Sequence, residues 1–375
     1  MKVLFWQWNA FMQKGIEKAF AKQNIEYKVL YEPLENWECD EVFARRLETE
    51  LNQESYDAVF SVNYAPVLSN VCEKKKIKYI SWVYDSPIHI RDISSFHNSC
   101  NRIYFFDRGQ MESYRKQGYE NVFHLPLAAD ETVWDFSGQQ EQYNCDVAFV
   151  GQLYKSDYDY LMGPLPQYYR GMMDGILGAQ GQLYGAYILG EMITDELMGE
   201  LNEYYKKASG GKNQVKREEM IYACACEITG RERFMALSLL AKRCRLHLYS
   251  KDSGKDIAGV CNGGYVDYYT QMPKAFRNAK INLNISLKTI QTGIPLRVLD
   301  VLSCGGFLIT NYQLELMEYF EPGVDLVLYE DVKDLVYKVD YYLKHEEERK
   351  EIALNGQKKV LELFTFKDRV TEMFG

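Results

Sequence analysis

The chain has 375 residues, a length that favours two domains. Hydrophobic residues make up 47% of it and charged residues 26%, a balance that excludes a disordered chain, a collagen-like fibre and a small disulfide-rich scaffold. Its 44 Lys and Arg residues against 53 Asp and Glu residues give a net charge of −9, which argues against a nucleic acid as partner.

Short apolar runs alternate with amphipathic stretches through the first third of the chain. The pattern predicts strands at 3–8, 26–30, 58–62, 79–84, 102–106 and 122–125, with helices at 10–22, 40–53 and 66–75. Strands that are separated by helices at this spacing pair in parallel through right-handed crossovers. We therefore predict a doubly wound α/β domain over residues 1–135.

A second α/β domain is predicted over residues 145–355, after a polar segment at 131–144 that is typical of a linker. A strand at 146–150 opens it and an insert of helical pattern follows at 157–228. Thr229 and Glu232 then fit a capping box that begins a helix over 233–243. The remaining pattern predicts strands at 246–249, 280–285 and 307–310, a helix at 296–304, and two amphipathic tail helices after residue 332. The last segment, 356–375, is expected to cross back to the first domain.

The predicted architecture is two parallel-sheet domains that face a cleft, with the helical insert in the second. Ligands of open α/β sheets bind outside the carboxyl ends of the strands, so the cleft is the expected site. The insert is rich in methionine, and adaptable methionine surfaces suit an acceptor lid or a homodimer face. The methionines in question are Met162, Met172, Met173, Met192 and Met198.

Neither a membrane segment nor a metal site is predicted. No stretch contains the roughly 18 uninterrupted apolar residues that a membrane-spanning helix needs, and Met1–Trp6 leads directly into a strand without a cleavage site. We therefore expect a cytoplasmic protein. The nine cysteines are scattered, and the close pair Cys224 and Cys226 has neither zinc-finger nor thioredoxin spacing. Reduced, mostly buried thiols and no bound metal or other cofactor are expected.

The segment from Ile285 to Asp300 is the most informative part of the chain. A strand ends there, a polar loop turns at Gly293, and a helix begins near a proline. Free backbone N–H groups at such a helix start bind phosphate, and Lys288 and Arg297 add positive charge. Asp300 lies three residues after Arg297, so the two share a helix face, and its carboxylate suits ribose hydroxyls. An ordinary helix start with an Arg–Asp pair explains the same residues.

The run from Gly293 to Thr310, with Glu321–Gly323 and Ile352–Gly356 in the tail, resembles the C-terminal domain of bacterial group-1-like glycosyltransferases, which include spore-maturation enzymes. The matching N-terminal domain is similar at three further segments, Trp8–Phe11, Trp82–Pro87 and Leu125–Ala128. The resemblance covers nearly the whole chain except the insert. It implies the GT-B fold, with two Rossmann-like domains, a nucleotide-sugar donor held mainly by the second domain and an acceptor approached from the first.

The resemblance also implies roles for residues of the second domain. Asp300 stands where related enzymes place the second Glu of a Glu-x7-Glu motif that holds the donor ribose, and Thr292 stands where they have the first. Gly151 and Gln152 match a Gly–Arg pair that binds pyrophosphate in retaining relatives. Because that arginine is missing here, we expect Arg297 or Lys288 to supply the charge.

A loop ahead of the 280–285 strand, containing Tyr265 and Val266, resembles the loop that holds the nucleotide base through backbone groups and an aromatic face. A plain loop with partly buried tyrosines fits it equally.

The acceptor side is predicted at the ends of strands in the first domain. Asp85 follows a strand and precedes Ser-Pro, a position from which a carboxylate acts as general base in an inverting transfer. An Asp–Ser–Pro turn in which the carboxylate caps backbone amides is the alternative. His89 is a competing base, with an ordinary pKa suited to neutral pH. Asn9 and Asn63 follow two other strands and are candidates for binding acceptor or donor phosphate.

We therefore predict a glycosyltransferase that moves a sugar from a UDP- or GDP-linked donor to a hydroxyl acceptor on a protein or glycan. Asp157 and Asp159 form an Asp-x-Asp sequence, but they lie at the start of the insert and not at a cleft position. This favours a metal-independent mechanism in which cationic side chains and backbone amides stabilise the leaving diphosphate. A nucleotide- or glycan-binding protein without transfer activity is the alternative on the same fold. An epimerase would need acid–base groups around the sugar, for which the sequence offers no candidates.

Overall fold

A computed structural model describes residues 1–129 and 140–375. The chain alternates strands and helices from its first residues, as predicted. The elements of the first part are β1 (Lys2–Gln7), α1 (Gln13–Lys22), β2 (Glu26–Tyr31), α2 (Glu41–Gln53), β3 (Ala58–Val62), α3 (Pro66–Lys75), β4 (Lys78–Val83), β5 (Asn101–Phe105), α4 (Arg108–Lys116) and β6 (Val122–His124). Most of the predicted linker, up to residue 139, lies outside the described residues.

The second part begins with β7 and ends with three helices. Its elements are β7 (Cys145–Val150), α5 (Tyr158–Met162), α6 (Gln167–Gln182), α7 (Leu189–Met192), α8 (Asp195–Ala208), α9 (Arg217–Ala241), β8 (Leu246–Tyr249), β9 (Cys261–Asn262), α10 (Met272–Asn278), β10 (Ala279–Asn284), α11 (Leu296–Ser303), β11 (Leu308–Asn311), α12 (Leu316–Tyr319), β12 (Val327–Tyr329), α13 (Val332–Tyr342), α14 (Glu346–Leu363) and α15 (Phe366–Phe374).

Each part contains one six-stranded parallel sheet. The strand orders are β2-β1-β3-β4-β5-β6 and β12-β11-β10-β7-β8-β9. The strands are mostly buried and read as near-continuous apolar runs, which is expected where helices cover both faces of a parallel sheet. The predicted α/β class with two parallel sheets is therefore confirmed.

The chain forms two compact units. The first contains residues 1–129 together with Gly293–Ser303 and Lys359–Gly375. In it the ring of Phe366 lies so close to Gly15 that a Cβ there would be 2.4 Å from the ring, which explains the glycine in α1. Phe374 packs against Phe20 with ring centroids 5.2 Å apart. The residues of the tail are thus part of the core of the first unit.

The second unit, 140–292 and 304–358, has two separate hydrophobic cores. One lies on the sheet under the carboxyl-terminal half of α9 and under α13, and the other is built among α5 to α8 and the amino-terminal half of α9. Met162, Met173 and Met198 belong to that second core, so these three methionines do not form the lid or dimer surface suggested by composition. Met192 is exposed.

Helix α9 corrects one prediction. Thr229 and Glu232 do not cap a new helix, because α9 runs unbroken from Arg217 to Ala241 and bridges the two cores. The Thr229 hydroxyl donates to the carbonyl of Ala225, 2.7 Å away within the same helix. The tail has three helices where two were predicted. No helix of the described residues is long and apolar enough to cross a membrane.

Candidate functional site

Polar and charged side chains gather at the carboxyl ends of β7 and β10 in the second unit. Three segments bring them there: the loop after β7, the loop after β10, and the middle of α9. The residues that carry the site are Gly151, Gln152, Glu232, Arg233, Ser286 and Lys288.

Lys288 and Glu232 form a buried ion pair. Their side chains are 9% and 7% exposed, and Lys288 Nζ lies 3.2 Å from Glu232 Oε2. The other carboxylate oxygen, Oε1, accepts hydrogen bonds from the hydroxyls of Tyr184 at 2.7 Å and Tyr329 at 2.9 Å. Lys288 Nζ also lies 4.0 Å from the centroid of the Tyr184 ring, a cation–π contact. Burial raises the pKa of both tyrosines, so their hydroxyls remain protonated donors.

Arg233 contacts the loop that contains Gly151 and Gln152, where the arginine of the Gly–Arg pair is missing. Its guanidinium donates to the backbone carbonyls of Gln152 and Ile285, the residues that follow β7 and β10. The rings of Phe149 and Tyr154 lie 5.1 and 4.6 Å from the guanidinium carbon. A buried cation is thus fixed beside the loop in which the resemblance implies pyrophosphate binding, but it comes from α9.

Arg233 and Glu232 were not predicted as site residues, although the pattern of α9 contains a signal for them. The buried positions of the carboxyl-terminal half of α9 recur with helical spacing at 229, 232, 233, 236, 237 and 240. Arg and Glu are rarely found on such a stripe unless they are paired or functional. Two charged residues on an otherwise apolar stripe therefore point to a buried polar site.

A small pocket of about 20 Å³ lies beside Lys288, at the carboxyl ends of β10 and β11. Polar groups from three loops line it, among them Tyr184, Tyr187, Ser286, Asn311 and Gln313. Two hydrogen bonds hold the backbone of the loop after β10. The amide of Ser286 donates to Asn311 Oδ1 at 2.7 Å, and the amide of Lys288 donates to the Thr229 hydroxyl at 3.1 Å.

The structure places Tyr265 and Val266 in a different pocket from Lys288. Val266 is buried, whereas Tyr265 is 57% exposed and its ring centroid lies 5.2 Å from Lys251 Nζ. Both residues line a second pocket of the same unit, together with Tyr249. The exposed ring of Tyr265 remains a candidate for stacking on a base.

Thr292, at the position of the missing first Glu, is hydrogen-bonded to a glutamate from elsewhere in the chain. Its hydroxyl donates to Glu315 Oε1 at 2.7 Å, and its carbonyl accepts from the Glu315 amide at 3.0 Å. Glu315 is fully buried. It lies outside the motif, so the spacing of acidic residues along the sequence did not reveal it.

The prediction that the backbone amide of Gly293 is free to bind phosphate is wrong. In the first unit this N–H donates to Asp107 Oδ1 at 3.3 Å, and Asp107 also caps α4 through the amide of Gly109 at 3.2 Å. A Cβ at Gly293 would lie 2.8 Å from the Asp107 Cα, so the glycine permits this close approach. A side-chain carboxylate therefore occupies the amide that was expected to bind phosphate.

Arg297 and Asp300 pair with each other, as their spacing predicts. Arg297 Nη1 lies 3.3 Å from Asp300 Oδ2, with side-chain exposures of 24% and 2%. The pair fits the alternative of an Arg–Asp contact on one helix face. The contact between Asp300 and a ribose stays a prediction.

Asp85 and Asn63 lie together at the carboxyl ends of β4 and β3. Asn63 Nδ2 donates to Asp85 Oδ2 at 2.6 Å, and Asn63 Oδ1 accepts from the amide of Tyr84 at 2.9 Å. Burial raises the pKa of Asp85, while the Asn63 hydrogen bond and the charge of His89 oppose the rise. His89 is exposed, and Asn9 donates from Nδ2 to the Tyr31 hydroxyl at 2.8 Å.

Asn9 and Asn63 both have positive φ, 69° and 61°. Asparagine tolerates this conformation better than most residues, which explains its use two residues after β1 and directly after β3. Within residues 1–129 and 140–375, no group of three or more His, Cys, Asp and Glu side chains is arranged to hold a metal ion.

Similar proteins were found by sequence and by structure. Residues 231–375 match the family model described as glycosyl transferase-like. A curated protein of Aquifex aeolicus, described as uncharacterized, is 29% identical over 107 residues, a match that spans 28% of this chain and 27% of that protein.

Solved structures resemble nearly the whole chain. HepE of Anabaena, in complex with UDP and glucose, matches with a TM-score of 0.56 and 11% identity over 99% of this chain and 98% of its own. Sucrose-phosphate synthase of Thermosynechococcus elongatus matches with a TM-score of 0.58 and 9% identity over 100% and 97%. A glycosyltransferase of Rickettsia africae matches with a TM-score of 0.55 and 9% identity, over 99% of this chain and 96% of its own. The chain therefore has the GT-B fold of these glycosyltransferases, and its residues 231–375 match the glycosyl transferase-like family model, as the resemblance of its motifs predicted.

Proposed function

We propose that this protein is a glycosyltransferase that moves a sugar from a nucleoside diphosphate sugar to a hydroxyl acceptor. The family match and the GT-B fold support the class of reaction. HepE was solved with UDP and with UDP-glucose, which makes UDP the first nucleotide to test. The observation that carries the proposal is the buried pair of cations, Arg233 and Lys288, at the carboxyl ends of β7 and β10.

Two buried cations beside one carboxylate suit a leaving diphosphate. The anionic charge on that group grows as its bond to the sugar breaks, and fixed cations in a low-dielectric site stabilise it without reorganisation. Arg233 offers a planar guanidinium, which matches phosphate geometry. In the absence of nucleotide the charge of Lys288 is balanced by Glu232, which Tyr184 and Tyr329 hold in place. In this proposal the side chains supply the positive charge, and the reaction is metal-independent.

Asp85 is proposed as the general base of an inverting transfer. Its Oδ2 is held by Asn63, and within residues 1–129 and 140–375 no hydrogen bond is made to Oδ1. In the reaction the acceptor hydroxyl gives its proton to Oδ1 while its oxygen bonds to the anomeric carbon. The bond from that carbon to the diphosphate oxygen breaks, and the diphosphate leaves with the electron pair. Burial, which raises the pKa of Asp85, makes this carboxylate a stronger base.

The first test is calorimetric titration of the full chain with UDP, GDP and ADP. At least one nucleotide is expected to bind, and Arg233→Ala and Lys288→Ala each to weaken it by about tenfold to a hundredfold, the value of a hydrogen bond to a charged group. Arg243→Ala is the matched control, since it removes a cation of the same unit whose partner Asp340 is partly exposed. Unchanged affinity in both site variants would contradict the proposal.

Slow hydrolysis of the nucleotide sugar separates a transferase from a binding protein. The wild-type protein is expected to release free nucleotide from UDP-glucose or another sugar nucleotide that it binds. Binding without any release would favour the non-catalytic alternative on the same fold.

A further inference from the structure

Three aromatic rings lie beside Asp85 in the first unit. Trp8 and Tyr84 are nearly parallel, with centroids 6.2 Å apart and planes at 10°, and Phe11 meets Tyr84 edge-on with centroids 6.5 Å apart. Phe11 lies in the turn between β1 and α1 and is 44% exposed. We name Trp8, Phe11 and Tyr84 the aromatic face.

The aromatic face and the carboxylate are positioned by the same residue. The Asn63 side chain accepts a hydrogen bond from the backbone amide of Tyr84 and donates one to the carboxylate of Asp85. One side chain therefore positions both the backbone that carries the Tyr84 ring and the carboxylate of the proposed base. The indole N–H of Trp8 donates to the carbonyl of Val62 at 2.7 Å, directly before Asn63. The rings are therefore pre-organised relative to the proposed base.

Polar groups border the rings. Asn9 follows Trp8 directly, and its amide donates to the hydroxyl of Tyr31, whose side chain is also exposed. The surface thus combines rigid apolar rings with an amide, a phenol hydroxyl and a carboxylate. This combination differs from a continuous apolar groove and from a purely polar one.

We infer that the acceptor is a carbohydrate, bound with the C–H face of a sugar ring on the aromatic face and one hydroxyl at Asp85. This inference rests on the proposed function and narrows its acceptor from a protein or a glycan to a glycan. A pyranose has an apolar C–H face and a rim of hydroxyls, so aromatic rings bury the first and neighbouring polar groups bind the second. A lipid chain would desolvate the Asp85 carboxylate and offer it no hydrogen-bond donor in place of water, which costs free energy. A serine or threonine acceptor has no ring face to cover Phe11.

The test is saturation-transfer NMR on the full chain with a panel of methyl α- and β-glycosides of glucose, galactose and N-acetylglucosamine, and with a serine-containing peptide. We expect at least one glycoside to receive saturation at its ring C–H protons. Phe11→Ala should weaken that binding by about tenfold, the order of one aromatic contact. Phe234→Ala is the matched control, because Phe234 is 48% exposed, against 44% for Phe11, and belongs to α9 of the other unit.

Release of UDP from UDP-glucose is measured on the same samples, and the control Phe234→Ala should leave it within twofold of wild type. If no glycoside binds, if the peptide alone binds, or if Phe11→Ala binds as tightly as wild type while nucleotide release continues, the carbohydrate inference is overturned and the proposed function stands. If the wild-type protein neither binds nucleotides nor hydrolyses a sugar nucleotide, the proposed function itself fails.

Discussion

The two sheets carry different chemistry at the carboxyl ends of their strands. In the second unit the charged groups are Arg233, Lys288 and Glu232, all buried, with the carboxylate held by two tyrosine hydroxyls. In the first unit the charged group beside the aromatic face is Asp85, partly exposed and held by the neutral amide of Asn63. One end offers excess positive charge, and the other offers a single carboxylate beside aromatic rings.

The difference shows how one architecture provides two binding chemistries. In open α/β folds ligands bind outside the carboxyl ends of the strands, and the charge there depends on which side chains the neighbouring loops and helices supply. Helix α9 contributes two adjacent charged residues to the second unit, whereas β1 and β3 of the first unit are each followed by an asparagine at positive φ. The charged residues of the second unit suit a polyanion, and the asparagines of the first unit suit a neutral compound with hydroxyl groups.

The largest expected effect is on the carboxylate of the first unit. Asp85→Asn removes the proposed base but keeps a side chain of the same shape. We expect the rate of transfer to fall by about 10²- to 10⁴-fold, the usual contribution of a general base, with nucleotide affinity unchanged. Steady-state rates and calorimetry on the same variant measure both quantities.

Asp40→Asn is the control for that variant. Asp40 caps α2 in the same unit, and asparagine caps helices equally well, so activity and stability should stay near wild type. A transfer rate for Asp85→Asn within a few-fold of wild type would reject Asp85 as the base and leave His89 as the candidate.

A second substitution tests the charge balance of the second unit. Glu232→Gln leaves Lys288 buried without its anionic partner, which is expected to cost about 3 kcal/mol of unfolding free energy. A diphosphate then takes the place of the lost carboxylate, so UDP should bind more tightly than to wild type and restore part of the stability. Denaturant unfolding with and without UDP measures both effects.

Asp340→Asn is the comparison for Glu232→Gln. Its partner Arg243 is half-exposed, with Nη2 lying 2.6 Å from Asp340 Oδ2. An exposed ion pair of this kind contributes less than about 1 kcal/mol to the free energy of unfolding. If Glu232→Gln is as stable as wild type, or binds UDP more weakly, Lys288 and Glu232 do not form the proposed switchable pair.

The sequence predicted the sheets well because their strands are buried apolar runs, whose pattern is local. It failed at Thr229, where a good capping pattern lies inside a helix. The capping preference contributes about 1 kcal/mol, and packing of α9 across two cores outweighs it. The short strands β9 and β12, of two and three residues, were not predicted.

Within the candidate site, the contacts that sequence reasoning missed are those between distant segments. Glu315 meets Thr292, and Asp107 meets Gly293, through hydrogen bonds that join residues 23 and 186 positions apart. Motif spacing describes a single stretch of chain, so it locates the helix start at Gly293 but not the carboxylate that occupies its amide. The strand-end positions of Asn9, Asn63 and Asp85 were predicted, since each lies within two residues of the end of its own strand.

The smallest expected effect is a pH dependence that belongs to the first unit. Because burial raises the pKa of Asp85, the base becomes protonated as the pH falls through that raised value, and transfer should decrease about tenfold per pH unit below it. Asn63→Gly removes a hydrogen bond that lowers the pKa, while glycine accepts the positive φ. The acid limb of the rate profile should therefore move to higher pH in this variant.

The same shift fixes the sign of a stability effect. The folded pKa of Asp85 lies above the value of about 3.9 in an unfolded chain, so its contribution to stability is full below that value and is lost as the pH rises through the folded pKa. Asp85→Asn should lack this loss, so its free energy of unfolding should rise relative to that of wild type as the pH increases from 4 to 7. Denaturant unfolding at several pH values in this range measures the difference. An acid limb that stays in place in Asn63→Gly, or a stability difference that does not change with pH, would show that Asp85 is not the group that titrates.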